Sequence, residues 1–175
     1  SDGMLSEARV NLADVPGAFT YELATVDALQ FEDSRWDTVI ANHMLYHAPD
    51  VDRAVAELAR VLKLGGKLHA ATNTRRHIQE LDELHRQFDV DPPDGTSLSG
   101  HGNVFSIDNG RASLEPHFEA VEVFETESVV KVEDPDLLIA FLLSRDKPMR
   151  ESALRDHVSR VIEKEGAFRV TRSSG

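Results

Sequence analysis

The sequence predicts an α/β protein in which a mostly parallel sheet lies between layers of helices. Helical periodicities alternate along the chain with short apolar runs that are typical of buried strands. One run, residues 36–41, is apolar almost without interruption, as expected for a parallel strand that is covered on both faces. The chain has 175 residues, of which 41% are hydrophobic, and this size suits one domain. We therefore predict a single three-layer sandwich over residues 1–175.

The chain begins with a predicted helix, which a predicted strand follows. Leu5, Ala8 and Leu12 recur at helical spacing, so residues 4–13 are expected to form a helix with one apolar face. Residues 19–26 alternate between apolar and polar side chains, as a half-buried strand does. Residues 36–41 then supply the next strand.

The middle of the chain carries recognisable helix boundaries. Asp50 is a favourable N-cap, and apolar residues recur at helical spacing after it. Gly65 and Gly66 are expected to end this helix, and residues 67–71 to form a strand. A further amphipathic helix is predicted over residues 78–88, with its acidic residues on a solvated face.

The remaining elements are predicted from turn formers, prolines and valines. Residues 89–104 are rich in turn formers and indicate a mobile loop. Ser106 is expected to cap a short helix, and residues 120–133 to form one or two strands. Pro135 and Pro148 are expected to open two helices. Gly166 ends the second of these helices, and residues 168–171 form a last strand.

Composition excludes several classes of function. The chain has 19 Lys and Arg against 31 Asp and Glu, a formal net charge of -12. Such a surface repels phosphate backbones and anionic headgroups, so we expect no nucleic-acid or membrane partner. The absence of cysteine rules out disulfides, thiolate metal ligands and a cysteine nucleophile. No apolar run approaches the ~20 residues of a membrane span, and a cytoplasmic protein is expected.

Candidate site residues follow the predicted strands. In open parallel sheets, ligands bind beyond the carboxyl ends of the strands. The segments at these positions are residues 27–29, 42–44 and 72–74. We therefore expect a small-molecule site where these three segments meet.

Three ordered motifs resemble those of one enzyme family. Residues 36–74 (WDTVIANHMLYHAPDVDRAVAELARVLKLGGKLHAATNT) resemble the middle of class I S-adenosylmethionine-dependent methyltransferases, with Leu64 in RVLKLGG where the family usually has proline. Residues 25–31 (TVDALQF) resemble the earlier family segment GDAxxLPF. Residues 1–8 (SDGMLSEA) resemble DxSxxMLxxA, which begins the helix after the family's second strand. The resemblance is strong over residues 1–74.

The resemblance implies a Rossmann-like sandwich and S-adenosylmethionine as cofactor. Residues 1–74 would be the cofactor half, residues 89–104 a lid, and residues 134–166 a helical segment on the substrate side. In the family, the aspartate after the third strand accepts a hydrogen bond from the adenine amino group, and the next backbone amide addresses the adenine ring. The cofactor-binding residues that the resemblance implies are Met4 over the adenine face, Asp27, Ala28 and Leu29 at the adenine, and Asn42, His43 and Met44 at the methionine moiety.

The chain lacks the family's first motif, a glycine-rich loop of the type ExGxGxG. Gly95, Gly100 and Gly102 follow a predicted helix, which favours a loop and not a cofactor cradle. The chain therefore resembles a methyltransferase domain without its first strands. Because the family's first strand lies beside its fourth, its absence would leave an unpaired strand edge. We expect a homo-oligomer or a strand swap through that edge, or an upstream segment outside this sequence.

Alternative interpretations remain open for several residues. His43 and His47 have the spacing of two metal ligands on a helix, but HMLYH lacks the glutamate of HExxH and no third ligand is evident. His47 is a candidate general base, although it would otherwise pack beside the pocket. Asp27 could simply cap its turn.

The sequence therefore predicts methyl transfer to an oxygen, nitrogen or carbon atom of a small molecule. The alternative is a non-catalytic module that has the same topology and does not bind cofactor by itself.

Overall fold

The computed structural model describes residues 2–90, 104–144 and 148–175. Helices and short sheets alternate along this part of the chain. The helices and strands are α1 (Asp2–Asn11), β1 (Trp36–Asn42), a 3-10 turn (Leu45–His47), α2 (Val51–Val61), β2 (Leu62–Ala71), α3 (Gln79–Phe88), α4 (Ile107–Leu114), β3 (Thr126–Val132), α5 (Pro135–Leu143), α6 (Glu151–Glu165) and β4 (Phe168–Ser174).

Two strand pairs form the sheet structure of the described residues. β1 and β2 are parallel, with Val39 opposite Leu68 and Ala41 opposite Ala70. β3 and β4 are antiparallel over their full length. The two pairs are connected where residues 72–74 leave β2, because the Thr72 N–H donates to the Gly175 carbonyl at 2.8 Å. The parallel pair confirms the predicted parallel strands, and the antiparallel pair adds a feature that the sequence pattern did not indicate.

Two apolar clusters hold the elements together. One cluster lies between the β1–β2 pair and helices α2 and α4, and its buried members are Ala41, Leu45, Ala48, Ala54, Leu58 and Phe105. The other joins α3, α5 and α6 to β4, and its buried members are Leu81, Leu84, Phe88, Leu138, Ile139, Leu142, Met149, Leu154, Val158, Phe168 and Val170. The first cluster therefore carries the candidate site, and the second supports the late helices.

Several predicted helix boundaries are confirmed. The Asp50 carboxylate accepts a hydrogen bond from the Arg53 N–H at 3.0 Å, as an N-cap should. Pro135 opens α5, and Gly166 ends α6 in the left-handed conformation with φ of 80°. Ser106 begins α4 with a capping box. In these helices, local chemistry fixes the ends as expected.

The strand predicted over residues 19–26 is wrong. These residues form no strand, because no described strand pairs with them. An extended segment becomes a strand only when a neighbour accepts and donates its ladder hydrogen bonds. The expectation that residues 36–41 are covered on both faces is also wrong, because the Ile40 side chain is 73% exposed. Within the described residues, β1 pairs with β2 alone.

Three other predicted boundaries are also wrong. Gly65 and Gly66 do not end α2, which stops at Val61, but lie inside β2. The chain turns directly from helix to strand at Leu62, whose backbone is extended. Pro148 does not open α6, which begins at Glu151, and residues 120–125 lie outside β3.

Most of the loop predicted over residues 89–104 lies outside the described residues, as do Gly95, Gly100 and Gly102. Within the described parts of the chain, no helix is both long and apolar enough to cross a membrane.

Candidate functional site

The carboxyl end of β1 turns sharply into the segment predicted to bind a ligand. The His43 N–H donates to the Ala71 carbonyl at 2.9 Å and so continues the β1–β2 ladder by one bond. His43 itself has a φ of 50°, a left-handed conformation that turns the chain out of the sheet. Met44 and the 3-10 turn Leu45–His47 follow at once. The turn places Met44 beside the first apolar cluster, where it is half-buried.

A groove of about 360 Å³ joins the end of β1 to the segment that precedes it. Val26 and Leu29 form one side of this groove, and Met44 lies across from them in the same apolar cluster. The volume lies in the range of small-molecule pockets, which are mostly apolar with a few polar groups. The remaining lining residues are Ala24, Phe31, Trp36, Thr38, Val39, Ile40, Ala41, Leu58 and Val61.

A charged pair on α2 holds the 29–33 segment against the rest of the fold. The Glu57 carboxylate accepts the Leu29 N–H at 2.9 Å. The Arg60 guanidinium donates to the Phe31 carbonyl at 2.8 Å and to the Leu29 carbonyl at 3.1 Å. It also donates to the Asp33 carboxylate at 2.6 Å. One arginine and one glutamate therefore fix the backbone that forms a wall of the groove.

The ionisation of this pair follows from its geometry. Arg60 donates from Nε to Glu57 Oε1 at 2.8 Å and from Nη2 to Oε2 at 2.9 Å, a bidentate arrangement. The hydrogen bonds from Arg60 lower the pKa of Glu57, and burial opposes this only in part. The same bonds, together with Asp33, raise the pKa of Arg60. Both side chains are therefore charged at neutral pH.

Asp27 and Ala28 lie in the turn between Val26 and Leu29 and do not themselves line the groove. The Ala28 N–H donates to the Thr25 carbonyl at 3.2 Å, and the Leu29 N–H is engaged by Glu57. The amide that the family resemblance assigns to the adenine ring therefore already has a partner within the chain. The Asp27 side chain is half-buried beside Val26 and Leu29. The adenine contacts of Asp27 and Ala28 remain predictions.

The structure does not gather every predicted residue into the groove. Met4 lies on α1 and is 74% exposed, and it does not line the groove. Asn42 and His43 are exposed at the end of β1. Asn42 lines a second, open cavity of about 1290 Å³ along β2, which also includes Thr72 and Phe105. Of the seven predicted cofactor residues, Leu29 and Met44 are the two that share the groove.

The two histidines do not have the arrangement that the metal interpretation requires. His43 lies in a left-handed turn and His47 in a 3-10 turn, so they are not on one α-helical face. His47 is exposed, and its ring lies 4.6 Å from that of Tyr46. Among residues 2–90, 104–144 and 148–175, no group of three or more His, Cys, Asp or Glu side chains could hold a metal ion. The general-base role of His47 remains a prediction.

A polar cluster lies beyond β2, next to β4. His77 is half-buried, and its Nδ1 lies 3.2 Å from the Ser173 carbonyl oxygen and 3.3 Å from the Ser173 backbone nitrogen, so it donates to the carbonyl or accepts from the N–H according to the tautomer. Burial lowers the pKa of His77, and nearby Arg172 and His43 lower it further, whereas the hydrogen bond with Ser173 and the charge of Asp82 oppose this only in part. The imidazole is therefore neutral at neutral pH, and it holds the turn after β2 against the end of β4.

Sequence reasoning missed Glu57 as a residue of the site. Arg60 was noted only as part of RVLKLGG, without a partner. The signal was present, because Glu57 and Arg60 are three apart on one helix face, where opposite charges meet. The sequence gives no indication that this pair reaches the backbone at Leu29.

The comparisons with known proteins agree on one family. Residues 1–70 match the model of a methyltransferase domain family. A ubiquinone/menaquinone biosynthesis C-methyltransferase of Shewanella halifaxensis is 39% identical over 70 residues, which are 39% of this chain and 28% of that protein. A phosphatidylethanolamine N-methyltransferase of Cereibacter sphaeroides is 28% identical over 127 residues, which are 70% of this chain and 58% of that protein. The chain therefore spans less than two thirds of the length of these relatives.

Solved structures share the fold. A protein from Bacillus halodurans that is described as a methyltransferase has a TM-score of 0.65 at 18% identity, over 99% of this chain and 77% of that chain. The YcgJ protein from Bacillus subtilis has a TM-score of 0.60 at 14% identity, over 99% of this chain and 76% of that chain. At such identities the likeness concerns the fold, and the predicted Rossmann-like α/β class is confirmed.

Proposed function

We propose that the protein transfers a methyl group from S-adenosylmethionine to a small-molecule acceptor, since residues 1–70 match the model of a methyltransferase domain family. One observation carries the proposal. Val26 and Leu29, at the two ends of a turn, and Met44 at the end of β1 line one groove, although they are far apart in sequence. The family resemblance assigns residues 27–29 and Met44 to the cofactor, and the shared groove supports this assignment for Leu29 and Met44.

The residues of the groove fit the adenosyl part of this cofactor. An adenine ring binds between apolar walls, and its amino group requires a hydrogen-bond acceptor. Val26, Leu29 and Met44 supply the walls. Asp27 does not line the groove, but it lies in the turn between Val26 and Leu29, and we propose that its half-buried carboxylate accepts a hydrogen bond from the adenine amino group. Leu29, Asp27 and Met44 would hold the cofactor, which when bound supplies a methyl group on a positively charged sulfur.

Methyl transfer requires the protein chiefly to align the acceptor with the methyl group. Methyl transfer from a sulfonium is a displacement, so the fold must hold the acceptor in line and exclude water. The rigid wall at residues 29–33, fixed by Glu57 and Arg60, serves this purpose. We propose that α5 and α6, within residues 134–166, form the side of the site at which the acceptor binds. The matched relatives are named for methylation at carbon and at nitrogen, and either atom suits the proposal.

Calorimetric titration with S-adenosylhomocysteine tests the cofactor assignment. Asp27→Asn keeps the size of the side chain but replaces its carboxylate with an amide. We expect the wild type to bind and Asp27→Asn to bind about tenfold more weakly, as for the loss of one charge-assisted hydrogen bond. Asp52→Asn, an exposed change on α2 away from the groove, is the matched control and should bind as the wild type does.

Two other outcomes would contradict parts of the proposal. Equal affinity of Asp27→Asn and the wild type would remove Asp27 from the cofactor site. A folded wild type that does not bind S-adenosylhomocysteine would favour the alternative, a module with this topology that does not bind cofactor by itself.

A further inference from the structure

The antiparallel β3–β4 pair has an open backbone edge along β3. On β4, the Thr171 N–H donates to the Glu80 carboxylate at 3.0 Å, and the Thr171 carbonyl accepts from the Ile78 N–H at 2.8 Å. The backbone groups of Thr171 therefore face α3 and not β3. Val129 lies opposite Thr171, and opposite residues of an antiparallel pair face either both toward each other or both away. The N–H and C=O of Val129, and those of the residues two positions before and after it, therefore face outward from β3.

No described element covers this edge. Every residue from Thr126 to Lys131 is exposed, including Val129 at 50% and Val130 at 41%. Within the described residues, β3 pairs with β4 alone. On its other side, β4 contacts the residues that follow β2, so β3 is the outer strand of this pair. An edge with outward backbone groups and exposed β-branched side chains is a template for the addition of another strand.

The charges on β3 are not balanced within the chain. Lys131 lies opposite Arg169 across the β3–β4 ladder, and like charges at opposite positions destabilise a strand pair. Among the described residues, no ion pair is formed by either of these two side chains. Glu127 lies on the same face of β3 as Lys131, and its Oε2 is 4.0 Å from Arg76, at the outer limit of an ion pair. The edge therefore carries a basic position that an added strand with a carboxylate would neutralise.

The edge is complementary to itself. Two copies that pair antiparallel about Val129 would place each Val129 opposite Val129 of the partner subunit. Each Glu127 would then lie opposite Lys131 of the partner subunit, so two pairs of opposite charge would form. Each Ser128 would lie opposite Val130 of the partner subunit, so the contact would cover both exposed valines. Outward backbone groups would meet outward backbone groups, and the two-fold pairing closes on itself.

We propose that β3 is an interaction edge that binds a second copy of this chain, in a two-fold antiparallel pair centred on Val129. A lysine on an edge strand usually discourages pairing, but Lys131 has a carboxylate opposite it in this register and like or apolar neighbours in others, so it selects the register. The contact is small compared with stable dimer interfaces, so the dimer is weak and forms at high concentration. The proposal goes beyond methyl transfer and does not depend on it.

Sedimentation equilibrium of the 175-residue chain, without any ligand and up to millimolar concentration, tests the proposal. We expect a reversible shift from 19.4 kDa toward twice that mass. Val129→Pro removes an N–H that faces the open edge and leaves the ladder to β4 intact. It should weaken dimerisation at least about tenfold, because the central pair loses both of its hydrogen bonds. Val129→Ile keeps the N–H and a β-branched side chain and should still dimerise.

Charge reversal tests the register. Glu127→Lys and Lys131→Glu each place two pairs of like charges opposite each other, and each should weaken dimerisation about tenfold. General repulsion between copies with a net charge of -12 predicts the reverse for Glu127→Lys, which makes the chain less acidic. The double variant Glu127→Lys/Lys131→Glu restores opposite charges and should regain most of the wild-type affinity. Lys164→Glu, an exposed change near the end of α6, is the matched control and should dimerise as the wild type does.

The melting temperatures of these variants check that the fold is retained. Lys131→Glu should not lower Tm in dilute solution, because it replaces the like-charged contact with Arg169 by an attractive one. In the wild type, the amides of residues 127, 129 and 131 should gain protection from hydrogen exchange as concentration rises.

A wild type that stays at 19.4 kDa at every concentration would overturn the proposal. Dimerisation of Val129→Pro at wild-type strength would do the same, since the copies would then meet elsewhere. A double charge variant that dimerises no more strongly than either single variant would overturn the pairing of Glu127 with Lys131 of the partner subunit.

Discussion

The charged pair on α2 offers the sharpest test of how the candidate groove is built. Glu57→Gln keeps the size of the side chain but removes its charge. The carboxylate accepts three hydrogen bonds, one from the Leu29 N–H at 2.9 Å and two from Arg60 at 2.8 and 2.9 Å. An amide can accept at one atom only, so one N–H group of the new side chain would face a donor.

The expected loss of stability follows from this count. Hydrogen bonds to charged groups contribute about 1.5–3 kcal/mol each when fully buried. The side chains here are 21% and 30% exposed, so solvent screens part of the interaction. We expect the free energy of unfolding to fall by about 1.5 kcal/mol, which lowers Tm by about 3–6 °C in a domain of this size.

Differential scanning calorimetry measures the change, and Glu83→Gln is the matched control. Glu83 also pairs with an arginine three residues later on a helix, but its side chain is 67% exposed. The control should change stability by less than about 0.5 kcal/mol. In Glu57→Gln, the Leu29 amide should also exchange faster with solvent. Equal effects of the two substitutions, or an unchanged Leu29 amide, would refute the account of the groove wall.

Two further predictions concern the second half of the fold. Leu154 is completely buried in the cluster of late helices, and Leu154→Ala should cost about 3 kcal/mol in chemical denaturation, whereas Leu137→Ala, at a site 67% exposed, should cost less than about 0.5 kcal/mol; equal losses would contradict the assigned core. Burial raises the pKa of Glu80, but hydrogen bonds from the hydroxyl and N–H of Thr171 outweigh burial and lower it below its ordinary value of 4.5. Glu80 therefore stabilises the fold above that pH, and its contribution is lost as pH falls through the lowered pKa. Glu80→Gln should flatten the loss of stability between pH 5 and 3 in acid titrations followed by circular dichroism, and an unchanged slope would contradict this.

Sequence reasoning succeeded where local chemistry decides the structure. The cap at Asp50, the proline at the start of α5 and the left-handed glycine at Gly166 depend on neighbours within a few residues. The apolar face of α1 was also predicted, since Leu5 and Ala8 are half-buried as expected. Such signals are visible in a short window of sequence.

The sequence was misleading where distant segments decide the structure. Residues 19–26 alternate as a strand does, but a strand exists only with a partner, and no described strand pairs with them. Gly65 suggested a helix end, although the helix had already stopped at Val61 and the chain had entered β2. Glu80 was interpreted as part of a solvated helix face, yet it binds Thr171, 91 residues later.

At the candidate site too, some features could be predicted from the sequence and others could not. The sequence predicted that residues 27–29 and 42–44 would meet, and Leu29 and Met44 do line one groove, although no described strand precedes residue 27. The Ala28 N–H donates to the Thr25 carbonyl, and the Leu29 N–H donates to Glu57. Both hydrogen bonds depend on where the folded backbone places these atoms. No spacing rule could have given those contacts.

The central claim is that this chain forms a cofactor groove, and a thermal melt with and without S-adenosylhomocysteine tests it most directly. A ligand at 100 times its dissociation constant adds about 2.7 kcal/mol of stability. We predict a rise in Tm of about 5–10 °C for the 175-residue chain. A cooperative melt that S-adenosylhomocysteine leaves unchanged at saturating concentration would contradict the claim that residues 26–29 and Met44 form a cofactor site.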